Sequence, residues 1–175
     1  SPHFWGRALG WYGMAMVDAL DYFPASHPGR DSIIGILNRY AKAVVNYQDA
    51  GSGTWWDVVD KKNVPGNYHE SSASSMIVYA LAKGIRMKYL PASYGKAVQK
   101  GFDGIINEFI EKDTNGGFNL KGTVAVSGLG GNPYRDGSFE YYIKEPVITN
   151  DPKGMGAFIK CAAEMELMRQ TGGKP

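Results

Sequence analysis

The sequence has one cysteine, no long apolar run and no marked excess of charge of either sign. A single cysteine, Cys161, excludes an internal disulfide, and its apolar helical surroundings predict a small buried side chain. No stretch approaches the roughly 20 apolar residues of a membrane helix. The 19 basic and 17 acidic residues are interspersed, and no basic run exceeds Lys61–Lys62. This pattern argues against nucleic acid or an anionic membrane as the main partner.

The N-terminal residues also lack an initiator methionine and the pattern of a signal peptide. The chain opens directly on the aromatic segment Ser1–Trp5. We therefore expect the natural protein to continue upstream of Ser1, and the sequence does not give its compartment.

Aromatic side chains are abundant, at 13% of the 175 residues with 4 Trp and 11 Tyr. Trp and Tyr suit both hydrophobic cores and clefts that bind sugars. A chain of this length forms one domain with a real core, residues 1–175. Core packing accounts for most of the aromatics, and the remainder are candidates for a binding surface.

Apolar residues recur at helical spacing through most of the chain. We predict helices over residues 11–22 and 31–47, from residue 71 until Pro91, and over 93–110 and 151–170. A glycine-rich stretch, residues 114–145, separates the last two helices and contains a plausible short strand at Thr123–Val126. The predicted fold class is all-α, built of helical hairpins, with one glycine-rich loop that carries a short β-ribbon.

The helices follow a repeat. Tyr22-Phe23-Pro24 ends the first helix and Tyr89-Leu90-Pro91 ends the third, 67 residues later. Each turn is followed by a helix rich in Tyr and Ala and then by a loop with Gly and aromatic residues. Such self-similarity indicates stacked helical hairpins. We expect the tight turns at one end of the stack and the long loops at the other, where they form a binding site.

The strongest single feature is the pattern Trp5-x-Arg7-x-x-x-Trp11. An indole face packs on the apolar C–H face of a sugar ring. The planar guanidinium of arginine presents two parallel N–H donors that match the two oxygens of a carboxylate. Two Trp around one Arg therefore suit an acidic sugar such as a uronate. The spacing alone leaves open a structural interpretation, in which both Trp lie in the core and Arg7 makes an internal ion pair.

The segment Phe4–Trp11 resembles the W-x-R-x-x-x-W segment of the unsaturated glucuronyl and rhamnogalacturonyl hydrolases, glycoside hydrolase families 88 and 105. Gly53–Asp57, Tyr68–Met76 and Asn150–Phe158 also resemble segments of family 105. The resemblance covers nearly the whole chain, and its first and last motifs are the most specific.

The resemblance implies an (α/α)6 barrel of six helical hairpins, of which this chain would be the C-terminal half. It implies release of an unsaturated uronic acid from pectin-derived (rhamnogalacturonan) oligosaccharides by hydration of the C4=C5 vinyl ether. It implies no metal and no organic cofactor. The partner would be an acidic unsaturated oligosaccharide, together with the missing N-terminal half or a partner chain, and the setting a bacterial cytoplasm or periplasm.

By the same resemblance, Trp5, Arg7 and Trp11 would line the pocket for the unsaturated uronate, with Arg7 near its carboxylate. The Arg7→Ala variant of the intact enzyme would then mainly weaken sugar binding. The family's catalytic Asp lies upstream of this segment, so we expect the general acid before Ser1. No residue of the chain is assigned that role, and the chain by itself is expected to be inactive.

Other polar residues are weaker candidates for the site. His69 lies in a loop at the expected binding end and suits an acid, a base or a pocket wall. Asn150 and Lys153 lie at the start of the last helix, where they would touch substrate. For Asp57 we favour a loop residue that bonds its own backbone, and for Glu70 a helix cap rather than a catalytic role.

Two other classes of function remain open at this level. One is a helical-repeat module that binds carbohydrate or acts as a scaffold without catalysis. The other is a hairpin-ring enzyme of different chemistry, such as a polysaccharide lyase or a sugar epimerase. A half ring would leave a long apolar flank exposed, which would need a missing half or a partner chain to cover it.

Overall fold

The computed structural model describes residues 1–171, which form six α-helices and four short strands. The helices are α1 (Gly6–Ala19), α2 (Arg30–Asn46), α3 (Ser71–Arg86), α4 (Gly95–Phe109), α5 (Phe139–Tyr142) and α6 (Pro152–Gln170). The strands are β1 (Ile110–Lys112), β2 (Phe118–Leu120), β3 (Thr123–Val124) and β4 (Val147–Ile148). Among residues 1–171, no helix has the length and apolar character needed to cross a membrane.

All five predicted helices are present, as α1, α2, α3, α4 and α6. The largest difference is at α1, which begins at Gly6, five residues before the predicted start. Gly6, Gly10 and Gly13 lower the intrinsic helix propensity of this segment. They also allow a close approach between helices, because a Cβ at Gly10 would lie 2.7 Å from the Cβ of Met76 on α3. Packing against α3 thus offsets the weak local propensity.

Helix α3 is the centre of the molecule, with 14 of its 16 residues buried. It packs between α1 and α6 on two sides and also contacts α4, while α2 packs on α1. The serines in its first turns can be buried because their hydroxyls are hydrogen-bonded. Ser72 donates to the Glu70 carboxylate, and Ser74 and Ser75 donate to the backbone carbonyls of Glu70 and Ser71. Helices α1, α3 and α6 therefore form one layer, and α2 and α4 lie against it.

The tight turns gather at one end of this layer, as the repeat predicts. Arg30 donates from Nη1 to the carbonyls of Leu20 and Phe23 in the first turn. Its Nη2 donates to the hydroxyl of Tyr89 in the second turn, at 2.9 Å. One guanidinium thus joins the two turns that end α1 and α3.

The long loops lie at the opposite end and contain the β-structure. Strands β1 and β2 pair antiparallel, with Ile110 opposite Leu120, and β3 and β4 pair with Thr123 opposite Ile148. The strand predicted within Thr123–Val126 is confirmed at Thr123–Val124. The other strands and α5 were not predicted, because each is only two to four residues long and has no measurable periodicity.

Both edge helices of the layer present apolar side chains to solvent. On α1 the exposed face carries Ala8, Trp11, Tyr12 and Ala15. On α6 it carries Gly156, Ile159, Ala163 and Leu167, with Ile159 60% exposed. The flank expected of a half ring is present at both edges.

Candidate functional site

The N-termini of α1, α3 and α6 meet at the loop end of the molecule. Ser71, at the start of α3, hydrogen-bonds through its hydroxyl to Thr123 of β3 at 2.7 Å. Gly154 of α6 lies so close to Thr123 that any Cβ there would collide with the threonine hydroxyl. Helix N-termini carry partial positive charge, so this end of the layer favours anionic groups.

Arg7, in the first turn of α1, is enclosed by this junction and only 2% exposed. Its Nε donates to the Ser72 hydroxyl at 2.7 Å and its Nη1 to the Ala125 carbonyl at 3.1 Å. Its Nη2 donates to the Val124 carbonyl and to Glu70 Oε1, the latter at 3.4 Å. The structure therefore places Arg7 in an internal ion pair, as the structural interpretation of the motif proposes for this residue.

Glu70 is the N-cap of α3, which confirms the predicted capping role. Its Oε2 accepts from the backbone N–H of Ala73 at 2.6 Å, and its Oε1 accepts from the backbone N–H of Val124 at 2.9 Å. The carboxylate thus joins the start of α3 to β3, and Arg7 supplies the opposite charge. Both oxygens of the Glu70 carboxylate accept hydrogen bonds within the protein, so this carboxylate stabilises the fold and has no free oxygen directed at a ligand.

The two tryptophans of the motif line separate concave surfaces. Trp5 borders a cavity of about 270 Å³ that also includes His3, Tyr12 and Leu129, and its ring stacks with that of Tyr142 at a centroid distance of 6.2 Å. Trp11 is 51% exposed and therefore not a core residue.

The groove that contains Trp11 has a volume of about 370 Å³ and runs between α1 and α6. Lys153, Gly156 and Lys160 of α6 form its opposite side. Lys153 is 44% exposed, and its ammonium lies 2.9 Å from Asp151 Oδ2. The structure thus brings together two of the predicted site residues, an exposed indole and a lysine.

Asp57 is not a loop carboxylate bonded to its own backbone, and that interpretation was wrong. Its side chain is fully buried, and Oδ1 accepts from Trp5 Nε1 at 3.0 Å. Burial, and next the negative charge of Glu70, raise the pKa of Asp57 to about 7, against the lowering effects of the Trp5 hydrogen bond and of Arg7. This carboxyl group can hold or release a proton near neutral pH.

His69 lies in a second polar cluster. Its Nδ1 is 3.0 Å from Glu108 Oε1, and Glu108 Oε2 accepts from the Thr54 hydroxyl at 2.8 Å. The imidazole packs against the Trp56 ring at a centroid distance of 4.3 Å. Glu108 was missed from the sequence because it lies 39 residues from His69, and nothing in its helix marks it.

Asn150 holds the loop before α6 in place. It has a left-handed backbone, with φ of 58°, and its Oδ1 accepts from the backbone N–H of Leu120 at 2.9 Å. The following residue, Asp151, is the N-cap of α6 and accepts from the backbone N–H of Lys153. Within residues 1–171, no three His, Cys, Asp or Glu side chains converge in a way that could hold a metal ion.

Comparison with known proteins identifies the family of the chain. The family model described as Glycosyl Hydrolase Family 88 matches residues 1–169. The chain belongs to glycosyl hydrolase family 88. A 24.9 kDa protein in the picA locus of Rhizobium radiobacter is 36% identical to this family 88 chain over 181 residues. The unsaturated rhamnogalacturonyl hydrolase YesR of Bacillus subtilis is 36% identical over 110 residues, which cover 63% of this chain and 29% of YesR.

The fold of this family 88 chain is similar to that of a C. acetobutylicum glycoside hydrolase from family 105, with a TM-score of 0.94 and 48% identity over 95% of the chain. The resemblance to families 88 and 105 and the predicted all-α fold, helical hairpins that form part of an (α/α)6 barrel, are thereby confirmed. The chain spans 46% of the length of the C. acetobutylicum structure and 74% of the R. radiobacter protein.

Proposed function

We propose that the protein is a glycoside hydrolase that releases an unsaturated uronic acid from pectin-derived rhamnogalacturonan oligosaccharides. The observation that carries the proposal is the exposed Trp11 facing Lys153 across a groove in a chain that belongs to family 88. The similarity to YesR, an unsaturated rhamnogalacturonyl hydrolase, supports rhamnose as the neighbouring sugar.

The groove supplies the two kinds of contact that an acidic sugar requires. The Trp11 indole offers a flat apolar face to the C–H side of the ring. The ammonium groups of Lys153 and Lys160 lie on the opposite side and suit the carboxylate of the uronate. Both lysines already pair with aspartates, Lys153 with Asp151 and Lys160 with Asp18, at 2.9 and 2.8 Å. These ion pairs hold the ammonium groups in position.

The remaining predicted site residues act around this groove in the proposal. Trp5 extends the sugar-binding wall, the aromatic surface formed by Trp11 and Trp5, into the neighbouring cavity. Arg7 supports the wall from inside by fixing β3 to the starts of α1 and α3. Asn150 fixes the loop from which α6 and Lys153 begin, and His69 completes the polar surface of the loop end.

The resemblance to families 88 and 105 implies that the acid of the proposed reaction lies outside the described residues. A proton is added to C4 of the C4=C5 vinyl ether and water adds to C5, which gives a hemiketal. The hemiketal opens by loss of the bond between C5 and the ring oxygen, which gives a C5 ketone and a hemiacetal at C1. The hemiacetal then releases the neighbouring sugar as an alcohol and leaves an aldehyde at C1. We propose that the general-acid Asp lies in further hairpins upstream of Ser1, and that these hairpins cover the part of the apolar face of α6 that lies outside the groove of Trp11. The exposed Ile159 on that face supports this arrangement.

The Trp11→Ala variant tests the proposed groove. With the intact protein and an unsaturated galacturonyl-rhamnose disaccharide, we expect the ultraviolet absorbance of the C4=C5 double bond to disappear with time. In the variant we expect KM to rise about tenfold, because an aromatic contact contributes about 1 kcal/mol beyond the area it buries.

Tyr22→Ala is the matched control, since Tyr22 is an aromatic residue that is 86% exposed just beyond the other end of α1. Its KM should match that of the unchanged protein. An unchanged KM in Trp11→Ala would contradict the groove. Binding of the disaccharide without loss of absorbance would instead favour a carbohydrate-binding module.

A further inference from the structure

The two short segments Trp56–Asp57 and Tyr68–His69 contain an unusual concentration of buried polar atoms without a well-aligned hydrogen bond. Among the described residues, four of the six buried side-chain N and O atoms without a hydrogen-bond partner belong to Trp56, Asp57, Tyr68 and His69. Buried polar groups in proteins are nearly always paired, because an unpaired one costs free energy. Two of these groups, the Asp57 carboxyl and the Tyr68 hydroxyl, face each other, so imperfectly paired polar groups are concentrated beside the start of α1.

The two segments run antiparallel and direct their side chains to two sides. Trp56 and His69 are bridge partners whose rings are in contact. Asp57 donates its backbone N–H to the carbonyl of Tyr68 at 2.8 Å. The Asp57 and Tyr68 side chains lie on the side of Arg7 and Glu70, whose charges act on both. Asp57 thus lies between the Arg7–Glu70 ion pair on one side and the Trp5 ring on the other.

Asp57 is attached to the start of α1 at two points. Its carbonyl accepts from the backbone N–H of Gly6 at 2.7 Å, and its Oδ1 accepts from Trp5 Nε1 at 3.0 Å. Because Trp5 is the N-cap of α1, the backbone bond fixes its main chain and the carboxyl bond fixes its ring. The second carboxyl oxygen, Oδ2, is buried and has no well-aligned hydrogen bond, although the Tyr68 hydroxyl faces the carboxyl group.

We propose that Asp57 is a positioning residue that sets the orientation of the Trp5 indole in the sugar-binding wall through the bond to Nε1. The role of Trp5 in binding sugar rests on the proposed function, whereas the hydrogen bond by which Asp57 orients the Trp5 ring does not. An ionised carboxylate accepts a stronger hydrogen bond from an N–H than a neutral acid does. The protonation state of Asp57 therefore controls how firmly the ring is held.

The groups that face Asp57 set the pH at which this control acts. They are the Glu70 carboxylate, the Arg7 guanidinium, the Trp5 indole and the Tyr68 hydroxyl. Burial and Glu70 outweigh the others and bring the pKa of Asp57 to about 7. The Trp5 ring is then held firmly above neutral pH and less firmly below it.

Tryptophan fluorescence of the intact protein between about pH 5 and pH 9 tests the link between the two residues. We expect a transition with its midpoint near the pKa of Asp57, and we expect it to vanish in Asp57→Asn, which keeps the shape but cannot ionise. It should also vanish in Trp5→Phe, which removes the reporting indole. This second variant keeps the proposal open to contradiction even if Asp57→Asn fails to fold, because a transition that persists without Trp5 cannot come from its indole.

Asp60→Asn is the matched control, because Asp60 lies three residues away and binds Phe4 and His3 instead of Trp5. Its transition should match that of the unchanged protein. A transition that persists in Asp57→Asn or in Trp5→Phe, or that is absent from the unchanged protein, overturns the proposal.

The KM for the unsaturated disaccharide separates this proposal from the proposed function. We expect KM to fall threefold to tenfold between pH 6 and pH 8, a change of about 1 kcal/mol, in the unchanged protein and not in Asp57→Asn. If the fluorescence transition behaves as expected and KM does not follow it, Asp57 positions Trp5 and the role of Trp5 in sugar binding is lost.

Discussion

Replacement of Arg7 by leucine is expected to lower the free energy of unfolding by about 3–5 kcal/mol, because it leaves a buried carboxylate without its partner. Glu70 is fully buried, and Arg7 is the cation bonded to it. The change also leaves the carbonyls of Val124 and Ala125 without these donors. The sequence alone led to a different expectation, in which loss of Arg7 mainly weakens sugar binding.

Urea denaturation of the intact protein, followed by circular dichroism, measures this loss. Arg7→Lys keeps the charge but not the planar fork and should lose less. In the double variant Arg7→Leu, Glu70→Leu the unpaired buried charge is gone and part of the stability should return, although loss of the hydrogen bonds from the Ala73 and Val124 N–H groups keeps this variant less stable than the unchanged protein. A loss of stability below about 1 kcal/mol in Arg7→Leu, together with a raised KM, would contradict the structural role.

The second large effect is a dependence of stability on pH that comes from Asp57. Its pKa is raised from 3.8 to about 7 in the folded protein, so the folded state binds this proton more tightly than the unfolded state. The contribution of Asp57 to stability is therefore complete below about pH 4 and is lost as the pH rises through 7. Three pKa units correspond to at most about 4 kcal/mol.

Urea unfolding of the unchanged protein and of Asp57→Asn at several values between pH 5 and pH 8 measures this contribution. The unchanged protein should lose stability relative to the variant as the pH rises, so that Asp57→Asn is the more stable protein at pH 8. Asp60→Asn should run parallel to the unchanged protein, because hydrogen bonds from Phe4 and His3 outweigh burial and lower the pKa of Asp60. A constant difference between Asp57→Asn and the unchanged protein would contradict the raised pKa.

The sequence predicts those parts of the fold that depend on local patterns. Apolar periodicity finds the five long helices, and the two turns that end in Pro24 and Pro91 show which ends of the helices gather. The cap at Glu70 follows from its position just before a buried helix. The buried Cys161 follows from the apolar stretch around it. In each case neighbours within a few residues carry the signal.

The parts that the sequence does not predict depend on contacts between distant residues. Arg7 is buried because the carbonyls of Val124 and Ala125 lie against it, 117 and 118 residues away along the chain. Glu108 meets His69 only because α4 packs beside the loop. Asp57 becomes a partner of Trp5 through the pairing of two short segments that show no strand periodicity.

The backbone at the start of α1 explains why Trp5 and Trp11 do not share one cavity. Trp5 precedes the helix with an extended backbone and forms a bridge with Val58, whereas Trp11 lies within the helix. Their spacing was interpreted as two sides of one pocket, whereas the backbone directs one toward α5 and the other toward α6. The same geometry brings Trp11 opposite Lys153, a pairing that no local pattern contains.

The proposed function requires that the protein acts on a double bond and not on an ordinary glycosidic acetal. It is tested most directly by kcat/KM for an unsaturated galacturonyl-rhamnose disaccharide, measured with the intact protein beside the saturated disaccharide of the same linkage. We expect turnover of the unsaturated disaccharide and no turnover of the saturated one, because hydration needs the C4=C5 double bond. Comparable turnover of both sugars, or of the saturated one alone, would contradict the account.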